Sequence, residues 1–268
     1  MYLNSLLFQN INYETMKINT MKDVFKINSS VNPLFITFPF AGGNAYSYRM
    51  INKQMPSNID ILSVELPGRG LRMEEELVPN MHDAINDIWK NWISHLQLDK
   101  KVFILWGHSM GGLLAYHITL LINQRMGLSP TRLIISGCSS PLVHKRGCIH
   151  AMASCDFWRH LSALGGVPQK IIQNEDIKTF AENYIRGDMK IYETYVDFTK
   201  EKIRSPTTII YGKEDLIANR RNMLTWKNLN YCDTDTVEMA GGHFFIFSNA
   251  HELVNLIKNM YFMVNRLQ

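Results

Sequence analysis

From Pro33 onward, short apolar runs alternate with longer stretches of helical periodicity, and this alternation restricts the chain to a small set of folds. The runs rich in β-branched residues predict strands at residues 34–38, 60–66, 101–106, 131–136, 207–211 and 235–240. Strands separated by helices usually form a mostly parallel sheet with helices packed on its faces. The fold class predicted from the pattern is therefore α/β.

Two of the helical stretches carry a clear apolar face. In residues 80–96 the apolar side chains recur at three- and four-residue spacing: Ile85, Ile88, Trp89, Trp92, Ile93 and Leu96. In the closing stretch, Asn249 is a suitable N-cap, and Leu253, Leu256, Ile257 and Met260 share one side. Stripes with this spacing are typical of helices that face a core, so they are not interpreted as cofactor contacts.

Size and composition predict one principal domain. The chain has 268 residues, of which 46% are hydrophobic and 19% charged, enough to bury one sizeable core. Residues 1–30 are polar, rich in asparagine and aperiodic, so we expect a flexible N-terminal extension followed by a domain over residues 31–268. The formal net charge of +4 is spread along the chain, which does not favour nucleic-acid binding.

The cysteines and the hydropathy pattern bear on location. The four cysteines, Cys138, Cys148, Cys155 and Cys232, form no C-x-x-C pair and no zinc-ligand spacing, which favours free thiols in a reducing compartment. The N-terminus has no basic segment followed by an apolar signal region, and no stretch reaches the roughly 18 apolar residues of a membrane span. We therefore expect a cytoplasmic protein without membrane association.

The strongest chemical signal is the pentapeptide Gly107-His108-Ser109-Met110-Gly111 between a predicted strand and an apolar helix. A G-x-S-x-G motif in a strand–turn–helix setting places a serine hydroxyl on a sharp turn above the sheet. Glycines on both sides leave room for that turn, and the helix N-terminus favours developing negative charge. Ser109 is therefore predicted to be a catalytic nucleophile, with His108 as a packing residue beside it.

A serine hydroxyl requires a base and a group that orients the base. Asp215 follows the strand predicted at 207–211, and His243 follows the last strand. The chain order Ser, Asp, His is that of α/β-hydrolases, so we predict a triad of Ser109, Asp215 and His243. The competing acidic and histidine side chains are Asp233, Asp235 and His251, for which surface solvation is the simpler interpretation.

Acyl transfer also needs donors for the tetrahedral oxyanion. These are usually backbone N–H groups of the residue after the nucleophile and of the loop after an early strand. The predicted donors are Met110 and Ala41, with Phe40 as the alternative in the loop "FPFAGGNAY".

Several stretches match one family in order: "FPFAGGNAYSY", "ELPGRGLR", "GHSMGG", "IRGDMKIYETY", "YGKED" and "GGHFF". With them the chain resembles type II thioesterases, the stand-alone α/β-hydrolases that accompany non-ribosomal peptide and polyketide synthetases. The similarity runs from about Pro33 to Phe247. It departs mildly at Gly187, where the family commonly has alanine.

The resemblance implies hydrolysis, in trans, of aberrant acyl groups attached to the phosphopantetheine arm of an acyl or peptidyl carrier protein, as in antibiotic or siderophore biosynthesis. It implies no metal and no diffusible cofactor, and a monomer. The motifs of zinc proteases, P-loops and dinucleotide sites are absent from the sequence. The alternatives are a medium-chain thioesterase that releases fatty acids, a general carboxylesterase, and a non-catalytic protein that docks on a synthetase.

The segment between the strands predicted at 131–136 and 207–211 contains an insertion, at about residues 139–200, that is too long for a simple connection. This insertion predicts a helical lid. Phe157, Trp158 and Leu161 either line the acyl cavity or attach the lid to the sheet. Arg69 and Arg72 either meet an acidic carrier or its phosphate, or make local hydrogen bonds.

Overall fold

The computed structural model describes residues 25–26, 32–167, 169–197, 199 and 201–264, and within them seven strands form one sheet. The strands are β1 (Phe25–Lys26), β2 (Leu34–Phe38), β3 (Asp60–Ser63), β4 (Phe103–His108), β5 (Arg132–Ser136), β6 (Thr207–Gly212) and β7 (Thr234–Met239). Their order across the sheet is β1-β3-β2-β4-β5-β6-β7, and every neighbouring pair is parallel except the short β1 against β3. The predicted, mostly parallel α/β sheet is confirmed.

Two strands end two or more residues away from the predicted position. β4 continues through Gly107 and His108, which pair with Ile135 and Ser136 of β5. β3 stops at Ser63, although the apolar run continues to residue 66. Beyond its end, Val64 N still donates to Thr37 O of β2 at 2.9 Å, and the buried carboxylate of Glu65 then accepts from Ala45 N and Leu71 N in two loops.

Nine α-helices connect and cover the strands in the described part of the chain. They are α1 (Arg49–Asn52), α2 (Met81–Ile88), α3 (Met110–Met126), α4 (Ser154–Ala163), α5 (Gln169–Ile172), α6 (Glu175–Glu193), α7 (Arg220–Leu224), α8 (Phe245–Ser248) and α9 (Ala250–Val264). Asparagine side chains cap three of them: Asn80 accepts from Asp83 N in α2 and Asn174 accepts from Ile177 N in α6, each at 3.0 Å, and Asn219 accepts from Asn222 N in α7 at 3.1 Å.

The helix predicted over residues 80–96 is α2 followed by a π-helical turn, Trp89–Ile93. The predicted apolar stripe lies on the core side of both segments, with Ile85, Ile88 and Ile93 buried. Short 3-10 helices occupy Gly70–Arg72, Leu98–Lys100, Pro141–Val143, Ile149–Ala151 and Thr225–Leu229.

The sheet separates two apolar cores. Along β4, Phe103 and Leu105 belong to one core, whereas Ile104 and Trp106 belong to the other, as the alternation of a strand requires. Helices α2, α3 and α7 supply the first core, and α1, α8 and α9 supply the second. A sheet covered on both faces explains the continuous apolar runs that identified the strands.

A third apolar cluster is formed by the segment that connects β5 to β6 in the sequence, which was predicted as a lid at about 139–200. Its buried members come from α4 and α6: Phe157, Trp158, Leu161, Ala181, Ile185 and Met189.

Near the N-terminus, Phe25–Lys26 joins the sheet as β1, and the rest of the N-terminal extension predicted over residues 1–30 lies outside the described residues. Among the helices the structure describes, none is both long and apolar enough to cross a bilayer.

Candidate active site

Ser109 alone separates the end of β4 from the start of α3. Its backbone angles are φ +54° and ψ −125°, and among the described residues it is the only non-glycine residue with positive φ. Its N–H donates to Ser136 O in β5 at 2.9 Å, which fixes the turn to the sheet. A strained backbone held this firmly is typical of functional sites, and here it points the hydroxyl away from the sheet.

The glycines beside this turn are required by close backbone approach. A Cβ at Gly107 would overlap the carbonyl group of Gly111, and a Cβ at Gly111 would overlap Phe38 O. The strand and the following helix therefore approach each other more closely than side chains allow.

The structure brings the other two predicted triad residues to Ser109. Asp215 lies in the loop after β6 and His243 in the loop after β7, both at the carboxyl edge of the sheet. His243 Nε2 is 3.0 Å from Ser109 Oγ, and His243 Nδ1 is 2.9 Å from Asp215 Oδ2. With the Nδ1 proton held by the carboxylate, Nε2 is left to accept the serine proton.

Asp215 is held in place and kept ionised. Its Oδ1 accepts from Ile217 N at 2.9 Å and from Ala218 N at 3.0 Å, while Oδ2 faces the imidazole. Burial raises the pKa of this carboxyl group, but the hydrogen bond and charge of His243 and the two N–H groups outweigh burial and lower the pKa below 3.8. The side chain is therefore an anion at neutral pH.

The competing residues lie elsewhere. Asp235 pairs with Arg132 at 2.6 Å, Asp233 precedes β7, and His251 is exposed on α9. His108 is fully buried, with its Nδ1 3.1 Å from Ser136 Oγ. Burial and the neighbouring His243 lower the pKa of His108 well below 6.5, so it is a neutral packing residue under the triad.

The predicted oxyanion donors border the nucleophile. Met110 is the first residue of α3, where backbone N–H groups have no acceptor within the helix. In the facing loop, Gly42 N donates to Asp188 Oδ2 and Gly43 N donates to Phe40 O, both at 2.8 Å. The hydrogen bonds found among the described residues of this loop do not use the N–H of Ala41, and Phe40 and Ala41 both line the cavity beside Ser109.

A cavity of about 370 Å³ extends from Ser109 and His243 beneath the lid. Its walls are mainly apolar, and the lid contributes Ile149, Leu161, Leu164, Val167, Ile171, Ile185 and Met189. Leu161 therefore lines the cavity, whereas Phe157 and Trp158 do not belong to its wall. They pack inside the lid, where Arg186 lies 4.0 Å from the Phe157 ring and Trp158 Nε1 donates to Glu182 Oε2 at 2.6 Å.

Arg69 and Arg72 both make ion pairs within the protein. Arg69 is 2% exposed and pairs with Asp188, and Arg72 pairs with Asp87 at 2.6 Å and with Glu75. The sequence interpretation did not assign Asp188 or Glu65 to the site. Their signal was present in the motifs "RGDM" and "ELPGRG", which meet only in the folded chain.

Groups of acidic, histidine and cysteine side chains arranged to hold a metal ion were not found in the part of the chain that the structure describes. The cysteines are unpaired, with Cys138 buried and Cys148, Cys155 and Cys232 exposed.

Comparison with known proteins gives the family. Residues 33–261 match the thioesterase domain family. A protein of Brevibacillus parabrevis named linear gramicidin dehydrogenase LgrE is 26% identical over 87% of this chain and 89% of its own length. The sequence of this chain contains no dinucleotide-binding glycine pattern.

Two further proteins are similar to this chain, one in sequence and one in structure. The medium-chain S-acyl fatty acid synthase thioesterase of Anas platyrhynchos is 26% identical over 81% of this chain and 86% of its own length. The solved structure of YbtT, a type II thioesterase of the yersiniabactin pathway, superposes with a TM-score of 0.77 at 24% identity, covering 88% of this chain and 94% of YbtT. The resemblance noted in the motifs is thus confirmed, and the chain belongs to the thioesterase family.

Proposed function

We propose that this protein is a serine thioesterase that removes acyl groups from the phosphopantetheine arm of a carrier protein and so edits a peptide or polyketide assembly line in trans. The observation that carries the proposal is the hydrogen-bonded series Ser109–His243–Asp215, which opens into an apolar cavity in a chain of the thioesterase family. The names of the relatives from gramicidin and yersiniabactin biosynthesis support an assembly-line role.

Acylation begins with attack of Ser109 Oγ on the thioester carbon. His243 Nε2 takes the hydroxyl proton as the oxygen–carbon bond forms, and Asp215 stabilises the resulting imidazolium. The N–H groups of Met110 and Ala41 donate to the oxyanion of the tetrahedral intermediate. The carbon–sulfur bond then breaks, and the imidazolium returns its proton to the departing thiolate.

Deacylation repeats these steps with water in place of the serine hydroxyl. His243 accepts a proton from the water as its oxygen attacks the acyl carbon, and the bond to Ser109 Oγ then breaks with return of that proton to the serine. The products are a free acid, the intact enzyme and a carrier whose thiol is available again.

The experiment uses a carrier protein loaded with acetyl-phosphopantetheine, together with the wild-type enzyme and S109A. Intact-protein mass spectrometry follows release of the carrier thiol, alongside hydrolysis of acetyl-N-acetylcysteamine and of a p-nitrophenyl ester. We expect serine-dependent clearing of the carrier that is faster than turnover of either small substrate. Cleavage of the ester with the loaded carrier left intact would reject the assembly-line role and leave a carboxylesterase.

A second candidate is release of medium-chain fatty acids from a fatty acid synthase. The apolar cavity under the lid and the similarity to the duck medium-chain enzyme favour it. A series of carrier-bound acyl groups from acetyl to dodecanoyl separates the two functions. Broad turnover that includes acetyl supports editing, whereas a sharp maximum at medium length supports chain release.

We also infer a cytoplasmic location, beside the carrier. The exposed thiols of Cys148, Cys155 and Cys232 support a reducing compartment.

A further inference from the structure

A buried ion pair joins the lid to the loop that faces the nucleophile. Asp188, on helix α6 of the lid, is fully buried, and Arg69, in the loop after β3, is 2% exposed. Arg69 Nη2 donates to Asp188 Oδ1 at 2.7 Å, and Nη1 pairs with Oδ2, so the contact is a two-pronged fork. The pair does not contact Ser109, His243 or Asp215 by any hydrogen bond found among the described residues.

Both members of the pair also hold the loop that supplies the proposed oxyanion donor. Asp188 Oδ2 accepts from Gly42 N at 2.8 Å, and Arg69 Nη1 donates to Gly43 O at 3.3 Å. These bonds fix the two residues that directly follow Ala41. Phe40 O belongs to the same peptide as the Ala41 N–H and accepts from Gly43 N at 2.8 Å, so the two side chains that hold Gly42 and Gly43 also constrain the direction of that N–H.

Ile185, one helical turn before Asp188 on the same face of α6, also contacts this loop. A Cβ built on Gly42 would lie 2.9 Å from Ile185 Cγ1, so the helix leaves no space there, and Gly42 also has a φ of +79°. Ile185 lines the cavity as well. The lid helix thus contacts the loop through an apolar and a charged side chain three residues apart, on one helical face.

Glu65 fixes the far side of the loop. Its Oε1 accepts from Ala45 N at 2.9 Å, and its Oε2 accepts from Leu71 N at 2.8 Å. The loop is therefore held at Gly42 by Asp188 of the lid and at Ala45 by Glu65, which follows β3. Because a buried ion pair gives little net stability when compared with apolar packing, stability alone is a weak reason for an Arg69–Asp188 fork at this place.

We propose that Asp188 and Arg69 are positioning residues that aim the Ala41 N–H at the oxyanion and couple its placement to the seating of helix α6. The inference rests on the proposed serine chemistry. When α6 is seated, Gly42 has its acceptor and the donor is aligned; when α6 moves, the loop loses that acceptor.

Three variants test the proposal. D188A removes the acceptor of Gly42 and the partner of Arg69. D188N keeps the volume and an amide oxygen for Gly42 but places a donor against the guanidinium. D60N is the matched control, because Asp60 forms another buried ion pair, with Lys101 at 2.9 Å, at the start of β3.

Two rates are measured for each variant, together with its thermal midpoint. One is kcat for acetyl-N-acetylcysteamine, and the other is phosphonylation of Ser109 by a fluorophosphonate. In the second reaction His243 takes the serine proton, the oxygen–phosphorus bond forms, fluoride leaves and the phosphoryl oxygen occupies the oxyanion position. The second rate is readable even if no thioester is turned over. A failure of the proposed function is therefore distinguished from a failure of the positioning role.

Loss of one oxyanion donor costs about 100- to 1,000-fold in kcat, so a misdirected donor is expected to cost a part of that. We expect both rates to fall at least about tenfold in D188A and at least about threefold in D188N, with KM changed less than about twofold. D60N is expected to lower the thermal midpoint and keep both rates within about twofold of wild type.

The proposal is overturned if the D188 variants match D60N in both rates, or if the whole effect lies in KM. If D188A gives no folded protein, D188N decides by the same two rates.

Discussion

Ser109 occupies a backbone conformation that glycine adopts far more readily, and the residues around it make this possible. The φ of +54° costs free energy, which the bond from Ser109 N to Ser136 O and the close packing at Gly107 and Gly111 offset. Gly107 in β4 and Gly187 in α6 differ in how the absence of a side chain affects the stability of the protein.

Opposite effects are expected when alanine replaces each of these glycines. G107A places a Cβ on the carbonyl group of Gly111, which is backbone and cannot move aside, so we expect a loss of at least about 3 kcal/mol or no folded protein. G187A places its Cβ 3.2 Å from Leu77 Cδ1, a side-chain tip that can shift, inside a long helix. Alanine is favoured over glycine there by about 0.5–1 kcal/mol, so we expect stabilisation of that size.

Urea denaturation of both variants and of the wild type measures these free energies. A destabilised G187A would show that the contact with Leu77 outweighs the gain in helix propensity. A stable G107A would contradict the described approach of strand and helix.

The motif around Ser109 was predictable because its chemistry is local: five consecutive residues, a strand before them and a helix after them. Asp215 and His243 were predictable because parallel strands bring their carboxyl ends to one edge. The contact between Asp188 and Arg69 was not predictable, because the partners are 119 residues apart, and nothing in either motif shows that the two meet.

Among the elements, the lid is the part in which the sequence left most alternatives open. A helical face tells which side chains are buried but not whether they bury against the sheet, the lid or a cavity. In α4, Leu161 faces the cavity, while Phe157 and Trp158 face the lid's own core. The strand boundaries differ for a related reason, because apolar runs do not show where ladder pairing stops.

The acyl-chain preference should respond to Leu161 and not to its neighbour Trp158. L161F enlarges a side chain in the cavity wall, so we expect kcat/KM for octanoyl thioesters to fall at least about tenfold relative to acetyl thioesters. W158F removes a hydrogen bond to Glu182 outside the wall, and we expect it to lower stability while the ratio of the two substrates stays within about twofold. Kinetics with N-acetylcysteamine thioesters of both lengths measure this ratio. Equal effects of the two substitutions on the ratio would contradict the described cavity wall.

The dependence of stability on acid pH is a property of the whole molecule. We expect buried histidines to make the largest contribution to it. His117 on α3 is 2% exposed, and its Nε2 is 2.9 Å from Tyr195 OH, beyond the lid helix. Burial lowers the pKa of His117 from 6.5 to about 4, although the charge of Asp197 opposes this change. Burial also lowers the pKa of His108, which lies next to His243.

The sign of the effect follows from proton binding. Between pH 6.5 and about pH 4, the unfolded chain binds a proton at His117 and the folded chain does not, so the free energy of unfolding decreases as the pH falls. A pKa of about 4 for His117 in the folded chain, against 6.5 in the unfolded chain, corresponds to about 3 kcal/mol over that range. Above pH 6.5 the histidine is neutral in both states and contributes no pH dependence.

H117Q should therefore flatten the acid side of the stability curve. Glutamine does not titrate, and its amide nitrogen can take the place of Nε2 beside Tyr195 OH, so we expect H117Q to lose about 3 kcal/mol less than wild type between pH 6.5 and pH 4. At pH 8 any difference between the two proteins reflects packing alone. Urea denaturation across pH 4 to 8 measures the free energies, with H251Q as the control because His251 is exposed on α9. Parallel curves for H117Q and wild type would show that His117 binds its proton equally well in both states, and the acid loss would then belong to His108 and the other buried groups.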